Sequence, residues 1–169
     1  GSNAITVITG PTGYTGPRGT GVTGYTGPAG PYQPFVGVFA NKDGNTQTFA
    51  SGTPVQVTGW TTIFDTNSGY SSAGSSYTIP VNGTYSIYLQ VGFNNGVWTL
   101  GNFTQTLVRK NGSDLLLANQ AIMGKPPSSS FAMCPEVYGT AVLNAGDVLT
   151  FFIFQNSANN QIVASGNAT

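Results

Sequence analysis

The sequence predicts an all-β head, a sandwich, jelly roll or barrel, behind a triple-helical stalk. Three observations predict it. Glycine recurs at every third place from Gly10 to Gly30, with one slip. From Pro34 onward no i, i+3, i+4 apolar pattern is sustained, and β-branched and aromatic residues dominate between clusters of turn residues. Those apolar stretches are short and near-regularly spaced, as in closed or two-layered β architectures. The chain divides accordingly into residues 1–4, a stalk over 5–33 and a head over 34–169. Gly1-Ser2-Asn3-Ala4 reads as the remnant of a cleaved purification tag and carries no fold information.

The stalk begins at Gly10-Pro11-Thr12, Gly13-Tyr14-Thr15 and Gly16-Pro17-Arg18, loses one residue at Gly19-Thr20, and resumes its frame from Gly21 to Gly30-Pro31-Tyr32. Three polyproline-II chains wind together only where every third residue lacks a side chain, because nothing larger fits at the axis. A flexible Gly-rich linker has no reason to keep that period on both sides of a slip. Fully wound, at ~3.1 Å per residue, the stalk spans roughly 70 Å. The slip disturbs the winding locally. A triple helix this short and this poor in proline needs a partner that holds three chains in register. Thr12, Thr15, Thr23 and Thr26 fill the third place of their triplets, where a hydroxyl solvates the rod or carries a sugar.

In the head the clearest strand runs from Tyr85 to Phe93, with Tyr85, Ile87, Leu89, Val91 and Phe93 on one face by alternation. A hairpin follows, Phe103 to Arg109 and Leu115 to Ile122, joined at Asn111-Gly112, where both residues tolerate the positive φ of a type I′ turn. A second hairpin is expected from Glu136 to Leu143 and Val148 to Phe154, turning through Asn144-Ala145-Gly146-Asp147. Shorter strands are expected around Phe35–Phe39, Thr53–Val57 and Thr61–Asp65. Leu149-Thr150-Phe151-Phe152-Ile153-Phe154 is apolar on both faces, so one set enters the core and the other needs a second cover. A subunit interface is one such cover and a loop of the same subunit is the other. The stalk demands three chains independently, which favours the interface.

Asp65, Tyr70, Tyr77, Gly83, Tyr85, Ile87 and Leu89, with Ala141-Val142-Leu143-Asn144-Ala145-Gly146-Asp147-Val148-Leu149, resemble the signature of the globular heads of the complement-one-q and tumour-necrosis-factor superfamily. The resemblance covers roughly residues 34–169, and a collagen-like segment directly upstream is the same architecture. Gly59 stands where that signature opens with Phe, and Ile87 and Leu89 replace aromatics. Such heads finish on a strand carrying a Phe-Ser-Gly-like stretch at the trimer centre. Here Ala164-Ser165-Gly166-Asn167-Ala168-Thr169 closes the sequence, so that last strand is expected to be missing. The resemblance implies a jelly-roll protomer of about ten strands, tumour-necrosis-factor-like, in a tight homotrimer that nucleates and caps the triple helix. Tyr85, Ile87, Tyr88, Leu89, Leu149, Phe151, Phe152, Ile153 and Phe154 are the expected core and trimer-interface residues. Thr-rich triplets of this kind resemble those of bacterial spore-surface filaments and of phage or large-virus fibres, which implies an extracellular or particle-surface location.

Charge excludes several functions. Five basic and five acidic residues give a formal net charge of zero, and only 6% of the chain is charged, against roughly 25% in ordinary domains. Nucleic acid is held by clustered Lys and Arg, which are absent. No apolar run approaches the roughly 20 residues of a membrane span. Without histidine there is neither a Ser or Cys triad nor a His-based zinc site. Asp43, Asp65, Asp114, Glu136 and Asp147 form no recognisable acid–base pair, so no catalytic residue and no cofactor is expected. Calcium held by three copies of one Asp on a threefold axis is the sole metal site the sequence suggests. Cys134, the only cysteine, is expected to be a small buried apolar residue. Trp60, Tyr70 and Trp98 among Asn and Gln suit stacking on sugar rings, or simple packing. The expected function is a structural, non-enzymatic trimerisation head of a filament or fibre. The alternative is a fibre tip that binds a cell-surface glycan or protein.

Overall fold

The structure, a computed structural model, describes residues 34–42, 45–94, 96–123 and 132–168. The expected stalk lies outside the described residues. Within them the chain is all β, without a helix. Strands β1 (Val38–Asn41), β2 (Gln47–Phe49), β3 (Val55–Gln56), β4 (Thr61–Asp65), β5 (Tyr70–Ser71) and β6 (Ser76–Thr78) are short. They are followed by the long strands β7 (Gly83–Phe93), β8 (Phe103–Lys110), β9 (Ser113–Ala121), β10 (Glu136–Leu143), β11 (Val148–Gln155) and β12 (Gln161–Ala168).

The long strands form two antiparallel sheets that make a β-sandwich. One sheet runs β10-β7-β12-β2; the other runs β5-β6-β11-β8-β9, with β3 also on β11, and β1 pairs β4 in a separate ribbon. Sequence neighbours repeatedly sit in opposite sheets, a jelly-roll-like interleaving. The core follows from alternation. Ile87, Leu89, Val91 and Phe93 of β7 point inward and are buried, and they face Val108, Leu149 and Ile153 of the second sheet. Large apolar side chains on both inner faces fill the space between sheets about 10 Å apart.

The β8–β9 hairpin forms as its turn chemistry predicts, with Asn111 at φ 50° and Gly112 at φ 84°. The second expected hairpin does not. β10 pairs with β7, whereas β11 pairs with β6 and β8, so the chain crosses between sheets at residues 144–147. Both strands carry inward apolar residues, Val137 and Leu143 on one and Leu149 and Ile153 on the other, and separate sheets let the two rows face each other. The crossing is fixed by Asp147, whose carboxylate accepts the Asn144 N–H (2.9 Å) and an Asn111 Nδ2–H (2.8 Å).

The expected absence of a last strand is also corrected. β12 lies inside its sheet, between β7 and β2, with an irregular register between Val163 and Ala168. Only Gln161, Ile162 and Val163 show alternation there, and the Ser-Gly-Asn run that follows reads as turn residues.

Candidate functional site

A groove of about 210 Å³ opens between the β1–β4 ribbon and the sandwich. Its wall is set by local chemistry. Gly59, at φ +71°, turns the chain into Trp60, whose indole N–H donates to the Val57 carbonyl (3.0 Å). The Trp60 ring then stands edge-on to Phe151, centroids 6.4 Å apart. At the ribbon's other end the Asp65 carboxylate accepts the N–H groups of Asn67 (3.2 Å) and Tyr70 (2.8 Å), which reverses the chain into β5. Burial would raise the Asp65 carboxyl, but the backbone donors of Tyr70, Asn67, Gly69 and Ser68 outweigh it and hold the group below its ordinary 3.8.

β5 places Tyr70 opposite Tyr77. Tyr77 lines the groove, is only 4% exposed, and its hydroxyl has no hydrogen-bond partner. Burial first, then the charge of Asp65 and the neighbouring Tyr85, push that hydroxyl up to about 12. On the opposite rim Tyr88 donates its phenol O–H to Glu136 Oε2 at 3.0 Å. Burial and the Glu136 carboxylate both raise Tyr88 above its ordinary value.

The expected site residues separate into three groups. Ile87, Leu89, Leu149 and Ile153 are buried core, and Phe151 and Tyr85 are partly buried against it. The Tyr85 hydroxyl donates to the Val81 carbonyl at 2.8 Å. Phe152 and Phe154, the outward set of β11, are partly covered from within the chain. The Arg109 guanidinium lies 4.3 Å from the Phe152 ring centre, and Phe103 packs 5.4 Å from Phe154. Tyr88 alone of the set is exposed, at 48%.

Of the two expected ligand contacts, Trp60 stands at the groove. Trp98 does not: it is 3% exposed and packs 5.5 Å from Phe93, so it offers no face to a ligand. Nothing in its short Gly-rich surroundings distinguishes a core Trp from a surface one. Cys134, expected to be buried, is exposed, while its neighbour Met133 fills the core instead.

The sequence reading passed over a second feature. On β10, Val137 and Leu143 point inward, which turns Tyr138 and Val142 outward at 69% and 76% exposure. Tyr138 is paired with Tyr88 across the ladder, and Ile162 of β12 is exposed on the same face. The alternation of Glu136–Leu143 held that signal, since both of its faces are partly apolar.

The acids among the described residues have structural partners. Asp114 pairs with Arg109 (2.7 Å) and Asp147 with Lys110 (3.6 Å). Lys42 is buried with its ammonium donating to the Thr58 carbonyl and to Gln47 Oε1, and burial lowers its pKa. Among the described residues no three His, Cys, Asp or Glu side chains gather into a metal site, and no helix is long and apolar enough to cross a membrane. Compared with known proteins, the chain matches no family model and no curated sequence.

Proposed function

We propose that this protein is a structural, non-enzymatic trimerisation head of a collagen-like surface filament or fibre. The observation that carries the reading is a set of exposed apolar side chains on the outer face of the four-stranded sheet. Tyr88, Tyr138, Val142 and Ile162 all stand exposed there, where the outward face of a half-buried antiparallel sheet is ordinarily polar. The Tyr88–Tyr138 pair, with Val142 on the same face among Thr84, Ser86 and Thr140, is what supports an interface there. The glycine triplets set the number of chains at three, since a collagen-like rod needs three. The interleaved strand order agrees with the resemblance to complement-one-q and tumour-necrosis-factor heads. The interface this reading invokes is therefore the β7–β10 face, while the second face of β11 has Arg109 and Phe103 as its cover. A nearly uncharged exterior suits a passive coat on a cell, spore or particle.

The test is sedimentation of the full chain against a Tyr138→Ser, Val142→Asp double variant. Neither side chain is in the core, so the variant keeps the fold, which circular dichroism checks. The reading expects the variant to sediment as a smaller species than the parent. Equal sedimentation of the two removes this face from assembly.

A further inference from the structure

We propose that the groove beneath the β1–β4 ribbon is a binding site for one neutral sugar ring. This goes beyond the structural reading and is tested separately; the two share Tyr88, at the groove's rim and on the β7–β10 face. Trp60, Tyr70 and Phe151 give the groove aromatic walls, with Tyr88 at the rim. No charged side chain is among its described lining residues, and the Glu136 carboxylate beside the rim is engaged by the Tyr88 hydroxyl. The Trp60 indole N–H is already bonded to Val57, which leaves its ring as a stacking surface and not a donor.

Two features distinguish this groove from a plain apolar cleft. Tyr77 lines the groove, and its solvent-inaccessible hydroxyl has no partner among the described residues; an occupant that draws it to the groove wall would relieve the cost of an unpaired buried hydroxyl. Ser86 and Tyr88 add further hydroxyls on the β7 side, that of Tyr88 oriented by Glu136. A ligand suited to this lining has apolar faces to lie on rings and hydroxyls around its edge. A pyranose has both. The volume of about 210 Å³ is below the roughly 300–1,000 Å³ of drug-sized pockets, so the occupant is a single ring and not an extended chain.

The experiment is a titration of the 15N-labelled full chain with methyl glycosides of neutral hexoses and of N-acetylhexosamines, read at the two indole N–H resonances. The expected result is a saturable shift at Trp60 with at least one glycoside, and none at the buried Trp98. Tyr77→Phe keeps the ring and deletes the hydroxyl. It is expected to weaken binding about fivefold, the loss of one neutral hydrogen bond. No saturable shift with any glycoside overturns the site. Equal affinity in Tyr77→Phe overturns the role of the hydroxyl and with it the sugar assignment. An equal response to cyclohexanol reduces the groove to an apolar cleft and also overturns it. Assembly is read separately, as mass, so failure of the trimer reading and failure of this one are distinguishable.

Discussion

At Gly69 an added methyl group would stand 2.5 Å from the Thr78 carbonyl oxygen and 2.8 Å from the Tyr77 ring. The first neighbour is backbone and cannot rotate away, so Gly69→Ala is expected to destabilise the fold by about 1–3 kcal/mol, the ordinary cost of overpacking. Urea denaturation measures this; an unchanged midpoint would mean that β5 and β6 do not approach as described. Tyr77→Phe at the same contact has the opposite expectation. It removes an unpaired buried hydroxyl, so stability should hold or rise by about 1 kcal/mol, and the variant's ultraviolet titration should lack the phenol that ionises near 12 in the parent. The two depressed carboxyls set the acid limit. In Asp147 the Asn144 N–H and the Asn111 amide, with Lys110 nearby, outweigh desolvation and lower the pKa, as backbone donors do in Asp65. A group that binds its proton less tightly when folded favours the folded state wherever it is ionised. That stability is complete above the ordinary 3.8 and fades as pH falls through the depressed folded values. Urea midpoints should therefore drop below about pH 4, and Asp65→Asn or Asp147→Asn should flatten the drop. Asp65 and Asp147 were legible in the sequence because turn-forming carboxylates sit at fixed places before and between strands. Gly69 was not, because its reason is the backbone carbonyl of Thr78, with the Tyr77 ring beside it, and both arrive only when β5 and β6 pair.

Turn chemistry decided which elements could be read. Asn111-Gly112 names its own φ values, and the hairpin it closes forms where expected. Gly112 has open space around it, so Gly112→Ala carries only the strain of a left-handed backbone, about 1 kcal/mol. Asn144–Asp147 is equally turn-like, yet it joins strands of different sheets. A short turn signal fixes the reversal but not the partner; only the packing of two inward rows against each other does that. The six apolar or near-apolar residues of β11 told correctly that both faces need cover, but the cover for Phe152 is a guanidinium two registers along β8, invisible as apolar pattern. Arg109→Ala is expected to lose about 1 kcal/mol, combining the ring contact with the exposed pair to Asp114. β2, β5 and β6 span two or three residues each, too few for alternation to register, and β12 mixes an apolar pair with turn formers.

For the whole molecule, composition was the most legible layer and assembly the least. A chain with so few charges and two surface ion pairs among the described residues has little for salt to screen, so its urea midpoint should be nearly the same at low and high sodium chloride. The sequence drew the core and assembly residues from β7 and β11; among the described residues, exposed apolar side chains stand on β7, β10 and β12 and also on β1, β4 and β9. The difference is physical: alternation tells which residues share a face, not which face another part of the chain already covers. Light scattering of the full chain tests the central claim most directly. The account predicts a mass three times the 17.5 kDa of the chain, held on dilution. A concentration-independent mass of one chain would contradict it, leaving Tyr88, Tyr138 and Val142 as an exposed surface without a partner copy.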